Sequence, residues 1–143
     1  MRELLDENIR VLQKQLSWLE ISYKECSSIT IKEKFSVDEF GKFETLCSRY
    51  SRSIDFLIRK FLRSLDDYEF ESQGTLIDIV NRAHKRGLFE DIKEVRVMKD
   101  IRNSIVHEYI EDELVHLFDD LLKYTPKLME FISSSLDYAK GIK

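Results

Sequence analysis

The chain has 143 residues, a net charge of −4 and 43% hydrophobic residues. This composition is typical of a globular protein and excludes a disordered chain, and the length suits a single domain over residues 1–143. Only 4 glycines and 1 proline are present, so we expect long helices rather than many strands and tight turns. A negative net charge does not favour nucleic-acid binding, although a local basic face can still provide it.

The sequence predicts a cytoplasmic protein without membrane contact. No stretch approaches the roughly 20 apolar residues that a membrane span needs. The segment from Met1 to Arg10 is rich in charged residues and lacks the pattern of a signal peptide. Cys26 and Cys47 are isolated and lack the spacing of metal ligands, so we interpret them as reduced, partly buried thiols. No metal and no cofactor is expected.

Two long helices are predicted in the first half of the chain. The first runs from about Glu3 to Cys26, where apolar residues recur at steps of three and four. The second begins after Ser36, which is a candidate N-cap because Glu39 stands at the capping-box position. Its apolar pattern continues to about Leu65.

The second half of the chain is predicted to begin with an acidic loop over residues 66–74. Thr75 then suits the N-cap of a third, shorter helix. This helix should end at Gly87, after a basic pair that is favourable at a helix C-terminus. A fourth helix is predicted to begin near Asp91.

The fourth helix is expected to end between His107 and Tyr109. A last helix starts around Asp112, and Pro126 is expected to kink or split it. Short connections join these elements, which favours antiparallel neighbours. The predicted fold class is therefore all-α, an antiparallel bundle of four to five helices.

A polar cluster lies in the fourth predicted helix, in the run DIRNSIVHEY at residues 100–109. The pair Arg102 and Asn103, followed by His107, resembles the Arg-x4-6-His signature of HEPN domains. With Tyr109 added, the pattern Arg-Asn-x3-His-x-Tyr is similar to that of the HepT toxins. The resemblance implies a HEPN-like helical bundle that forms a homodimer, with the two motifs facing a common cleft.

The resemblance extends from about residue 75 to residue 132, where a short helix, the motif helix and a long closing helix follow the family's order. It implies a metal-independent ribonuclease toxin, with tRNA as a candidate substrate. HepT toxins are encoded beside small MNT-type nucleotidyltransferases, so the resemblance implies such a protein as partner and antitoxin. In pairs of this kind the motif tyrosine receives AMP, which makes Tyr109 a candidate modification site and off-switch.

The residue types suit this chemistry on physical grounds as well. His107 has a reference pKa near neutrality and can exchange a proton, and Arg102 can bind phosphate oxygens. Asn103 can orient His107 or the scissile phosphate, and Asp100 is close to the helix face that Asn103 and His107 share. At about 100° per residue, however, Arg102 and His107 are about 140° apart. Either the helix ends before His107, or the site is assembled from more than one chain.

Each motif residue also has a structural explanation. Arg102 can pair with a carboxylate, His107 can close a helix terminus and Tyr109 can be a half-buried aromatic residue. Two other functions therefore stay open at this point. One is a non-catalytic subunit that binds substrate or nucleotide beside a nucleotidyltransferase, and the other is a structural bundle whose motif is coincidental.

The second helix carries a basic stripe whose members fall within about 100° of one another if the helix is regular. Phe56 lies in the same sector, so the stripe can hold RNA phosphates and stack a base. The alternative is a solvated face with no ligand. The stripe consists of Arg49, Arg52, Arg59, Lys60 and Arg63.

Overall fold

The structure is a computed structural model that describes residues 2–69, 71, 74–107 and 111–142, with all side chains except those of residues 107 and 111–113. These residues form helices and connecting segments but no strand, which confirms the predicted all-α class. The helices are α1 (Arg2–Ser27), α2 (Val37–Phe56), α3 (Leu62–Tyr68), α4 (Leu76–Lys85), α5 (Ile92–His107) and α6 (Glu111–Lys140), and a π-helical turn (Leu57–Phe61) joins α2 to α3.

A continuous helical rod runs from Val37 to Tyr68, because the π turn connects α2 and α3 without a break. The rod begins as predicted. The Ser36 hydroxyl accepts a hydrogen bond from the Glu39 backbone N–H at 3.1 Å, and the Glu39 carboxylate accepts one from the Ser36 N–H at 2.9 Å. This capping box pairs two N–H groups that a helix start leaves free. The rod continues past residue 66, so the predicted start of the acidic loop is wrong.

The rod continues because Asp66 is an interior side chain rather than a loop residue. It is fully buried, and its carboxylate accepts hydrogen bonds from Arg82 at 3.0 Å and from Arg86, both on the α4 side. Arg86 also donates to Glu69, which accepts a hydrogen bond from the Tyr138 hydroxyl of α6. The ion pairs tie α3 to α4 and offset the cost of burying the Asp66 charge, and the tyrosine hydrogen bond ties the end of α3 to α6.

The limits of α4 are those expected from the sequence. The Thr75 hydroxyl accepts a hydrogen bond from the Asp78 N–H, and the Asp78 carboxylate accepts one from the Thr75 N–H. Backbone and hydroxyl hydrogen bonds from Thr75 lower the pKa of Asp78. At the other end, Gly87 has a φ of 77°, a left-handed conformation that glycine adopts without a Cβ clash.

The helices pack as a bundle in which sequential neighbours are antiparallel hairpins, α1 with α2 and α5 with α6. The guanidinium of Arg2 donates to the carbonyl of Ile142 at 3.3 Å, so α1 also runs antiparallel to α6. Inside the bundle, the ring of Phe43 stacks on that of Phe118 with 4.3 Å between centroids. Among the described residues, five helical rods result when α2, the π turn and α3 are taken together.

Helix α6 is unbroken at Pro126, so of the two expected outcomes the split is wrong, and the kink stays a prediction. Proline removes one backbone hydrogen bond. Buried residues on both sides, Leu121 before it and Leu128 and Phe131 after it, hold the two halves against the core. Although α6 has 30 residues, neither it nor another described helix has the apolar stretch that a bilayer crossing requires.

Replacing Asp66 by Asn should lower the free energy of unfolding by about 3 kcal/mol, because the partly buried Arg82 and Arg86 lose the charge of the buried Asp66 carboxylate. Urea denaturation followed by circular dichroism measures this change. The matched control is Asp38→Asn, at a carboxylate that is 80% exposed, with an expected change of about 0.5 kcal/mol or less. A loss below about 1 kcal/mol for Asp66→Asn would contradict the assigned role of this network.

Candidate functional site

Arg102 of α5 is held against α2 by a bidentate ion pair with Asp55. The guanidinium Nε donates to Oδ1 at 3.0 Å, and Nη2 donates to Oδ2 at 2.9 Å. Two parallel hydrogen bonds of this kind fix the orientation of the guanidinium plane. The side chains are 29% and 36% exposed, so the pair lies at the surface of the bundle. Arg102 therefore does have the carboxylate partner that was one explanation of its presence.

A small groove of about 40 Å³ opens beside this ion pair, between α2, α4 and α5. Its polar lining consists of three cations, a carboxylate and the amide of Asn103, so positive charge exceeds negative charge there. The volume is far below that of a typical ligand pocket, so a phosphate group would contact its mouth rather than be enclosed. We call it the Arg102 groove, and it is lined by Ile54, Asp55, Ile58, Arg59, Leu76, Lys99, Arg102 and Asn103.

The other two motif residues are described less fully. His107 is the last residue of α5, so the helix does not end before it, and the first of the two explanations offered for its position is wrong. Its side chain is not among those described, and Tyr109 lies outside the described residues. Assembly of the site from two chains is the explanation that stays open.

Asp100 is not brought together with Arg102. It lies with His116 in a second groove, of about 360 Å³, between α5 and the first half of α6. Two residues along a helix correspond to a rotation of about 200°, which places Asp100 and Arg102 on different sides of α5. The supporting role of Asp100 stays a prediction.

The basic stripe does not form one face. Arg49 turns towards α1, where its guanidinium lies 4.7 Å from the centre of the Trp18 ring and donates to the Ser22 hydroxyl at 2.6 Å. Arg59, in contrast, lines the Arg102 groove. The shared face assumed regular α-helical spacing, and the π turn between α2 and α3 changes the rotation per residue. The other members are the exposed Arg52 and Lys60 and the half-buried Arg63.

Asp55 is the residue of this site that sequence reasoning missed. It is a single acidic residue among the basic residues of the second helix, and this was the one feature of the sequence that could have indicated a role for it. Its partner lies 47 positions away, so no local pattern identifies the pairing. The pair lies in the same groove as Arg59, the member of the basic stripe that is found beside the motif.

Comparison with known proteins gives one partial similarity. The chain is 31% identical over 97 residues to a phosphopantetheine adenylyltransferase of Pelagibacter ubique (strain HTCC1062). The match covers 67% of this chain and 53% of that protein, so the chain spans about half the length of the curated relative it matches. No protein-family model matches the chain, and no solved structure matches it. The fold and site define an all-helical bundle with a small cationic groove at the motif helix.

Arg102→Ala and Asp55→Ala should each lower the free energy of unfolding by about 1 kcal/mol or less, because a partly exposed ion pair contributes little to stability. Urea denaturation of both single variants and the double variant gives the coupling energy. The matched control is Lys127→Ala, which removes the similarly exposed Lys127–Glu94 pair between α6 and α5. A loss above about 3 kcal/mol for Arg102→Ala alone would mean that this arginine serves the fold rather than a ligand.

Proposed function

We propose that this chain is a HEPN-like ribonuclease that cleaves RNA without a metal ion and binds the scissile phosphate at the Arg102 groove. The observation that carries the proposal is the convergence of Arg59, Lys99 and Arg102 beside the motif residue Asn103. A guanidinium binds two phosphate oxygens in the geometry in which it binds a carboxylate. Asp55 therefore occupies the donor pair of Arg102 that a phosphate would bind, and RNA binds there by displacing it.

The chemistry uses the nucleophile that RNA itself carries. A base removes the proton of the 2′-OH, and the oxygen attacks the adjacent phosphorus. The bond from phosphorus to the 5′ oxygen breaks, and an acid delivers a proton to that oxygen. His107 suits proton transfer because the reference pKa of histidine is near neutrality. Arg102 stabilises the negative charge that builds up on the phosphorane.

A homodimer can bring an arginine and a histidine to the same phosphate, which one copy of the motif does not do. Arg102 and His107 are about 140° apart around α5, so one helix does not present both to the same phosphate. A two-fold axis beside the motif brings a second copy of each residue to a common cleft. The two histidines can then divide the roles of base and acid.

The biological role that we propose is that of a cytoplasmic toxin in a HEPN/MNT toxin–antitoxin pair, with tRNA as substrate. The antitoxin is an MNT-type nucleotidyltransferase that transfers AMP to Tyr109. The added bulk and negative charge in the cleft repel RNA and silence the enzyme. Arg52, Lys60 and Arg63 are candidate contacts for the rest of the RNA backbone.

A second candidate function is a non-catalytic subunit that binds nucleotide beside such a nucleotidyltransferase. It asks less of the paired Arg102 than catalysis does, because a nucleotide phosphate needs only to displace Asp55 from the guanidinium. The matched Pelagibacter protein is named an adenylyltransferase, which is compatible with a chain that binds nucleotides. In this case Arg102 binds a nucleotide phosphate and no reaction takes place on the chain.

Incubation of purified protein with total tRNA in EDTA tests the first function, with the intact mass recorded for each sample. Wild type should cleave tRNA, and Arg102→Ala and His107→Ala should each lose about 100-fold or more of the rate, because each removes a group that acts on the reacting phosphate. Tyr109→Phe should retain cleavage, because it lacks only the acceptor oxygen for AMP. Lys123→Ala, on the exposed surface of α6, is the matched control.

Full cleavage by both Arg102→Ala and His107→Ala would show that the site is assigned wrongly. If neither wild type nor Tyr109→Phe cleaves, and both have the mass of the bare chain, the ribonuclease function is contradicted. Nucleotide binding that disappears in Arg102→Ala would then establish the second function. An AMP-sized addition that silences wild type but not Tyr109→Phe would identify the tyrosine as the switch.

A further inference from the structure

One flank of α1 carries apolar side chains at regular spacing, about 100° around the helix from the buried Leu5, Leu12 and Leu19. Leu4, Val11 and Trp18 recur at seven-residue steps, and Ile21 follows three residues later. Leu4, Trp18 and Ile21 are 53%, 55% and 46% exposed. Scattered exposed apolar residues need no explanation, but this spacing is the one with which a helix packs along another helix. We call these four residues the α1 stripe.

The indole of Trp18 is held in place by Arg49 of α2. The guanidinium lies 4.7 Å from the ring centre, and its Nη1 donates to the Trp18 carbonyl at 3.1 Å. An ordered side chain loses less conformational entropy on binding than a mobile one. Tryptophan and arginine are also enriched among the residues that dominate the binding energy of protein interfaces. The stripe is therefore a preordered apolar surface.

Two opposite charges lie beside the middle of the stripe. Glu7 and Lys14 are exposed, and neither has an ion-pair partner in the part of the chain that the structure describes. The midpoint between Glu7 and Lys14 lies next to Val11, about 5 Å along the helix axis from each of the two residues. In an antiparallel pair of α1 helices, Glu7 of each copy faces Lys14 of the other. Leu4 then faces Trp18, and Val11 faces its own copy, so the surface is self-complementary, as a two-fold axis requires.

We propose that the α1 stripe is a self-association surface on which a second copy of this chain packs, with the two α1 helices antiparallel. The surface is separate from the Arg102 groove, because Arg49 and Asp55 point about 120° apart around α2. It uses neither α5 nor the motif, so it does not depend on the proposed ribonuclease function. A chain that also dimerised at the motif cleft would use two kinds of two-fold interface, which close into a tetramer when the two axes intersect at right angles.

A charge exchange tests the pairing. Glu7→Lys and Lys14→Glu each place like charges opposite one another twice per dimer, and each should raise the dissociation constant about tenfold or more. The double variant restores opposite charges and should associate as wild type does. Sedimentation equilibrium measures the weight-average mass. At a total chain concentration equal to the wild-type dissociation constant, it should fall from about 1.5 chain masses in wild type to about 1.1 in the single variants. Lys123→Glu, which breaks the Asp119–Lys123 pair within α6, is the matched control and should leave the mass unchanged.

Three results would overturn the proposal. One is a wild-type chain with the mass of a single copy at the highest concentration tested. Another is a wild-type assembly whose mass neither single variant changes. The third is a double variant that fails to recover the association. Circular dichroism establishes that the variants are folded, as expected because both side chains are exposed.

Cross-linking gives an independent readout of the two-fold axis. Burial raises the pKa of the Cys26 thiol to about 11 and that of the Cys47 thiol to about 12, so both are unreactive at neutral pH. A cysteine introduced by Val11→Cys is then the reactive thiol, and a short thiol cross-linker should join two chains. Lys123→Cys is the control. Equal yields of linked dimer from the two variants would contradict the proposed axis.

Discussion

Two polar contacts at different depths join α5 to α2, beside the apolar packing of the two helices in the core. In the core, the Tyr50 hydroxyl donates to the Met98 carbonyl at 3.0 Å, and burial raises the pKa of Tyr50, so the hydroxyl stays protonated. At the surface, Asp55 binds Arg102 through two hydrogen bonds. The core contact sets where the motif helix lies, and the surface contact sets how its arginine is oriented. The candidate site lies beside the surface contact, where the Arg102 groove opens.

The surface ion pair makes ligand binding an exchange of anions. A carboxylate and a phosphate present similar oxygen pairs to a guanidinium, so Asp55 occupies the position that a phosphate of RNA would take at Arg102. The free energy of RNA binding at the groove is then the difference between the Arg102–phosphate interaction that forms and the similar Arg102–Asp55 interaction that is lost. An RNA phosphodiester and the Asp55 carboxylate each carry one negative charge, so Arg59 and Lys99 favour RNA by contacting further phosphates of its backbone. An arginine that is paired at rest is thus compatible with function as well as with a structural role.

Local sequence patterns predicted the helix starts, because capping depends on side chains and backbone groups within one turn. Ser36 and Thr75 have their capping partners three residues away, and Gly87 ends its helix through its own backbone conformation. Asp66 was misplaced because acidic residues usually indicate a loop, whereas its partners lie on another helix. The π turn left no signal, because apolar residues recur through it. The Asp55–Arg102 pair is a tertiary contact that no single segment encodes.

The most direct test of the Arg102 groove is the binding of a short single-stranded RNA, followed by fluorescence anisotropy, to four proteins: wild type, Asp55→Asn, Arg102→Ala and the double variant. If Asp55 competes with phosphate for Arg102, Asp55→Asn should tighten RNA binding about tenfold in the wild-type background. It should have little effect when Arg102 is already alanine. An equal tightening in both backgrounds would mean that Asp55 acts only through general electrostatic repulsion, and that phosphate does not bind at Arg102.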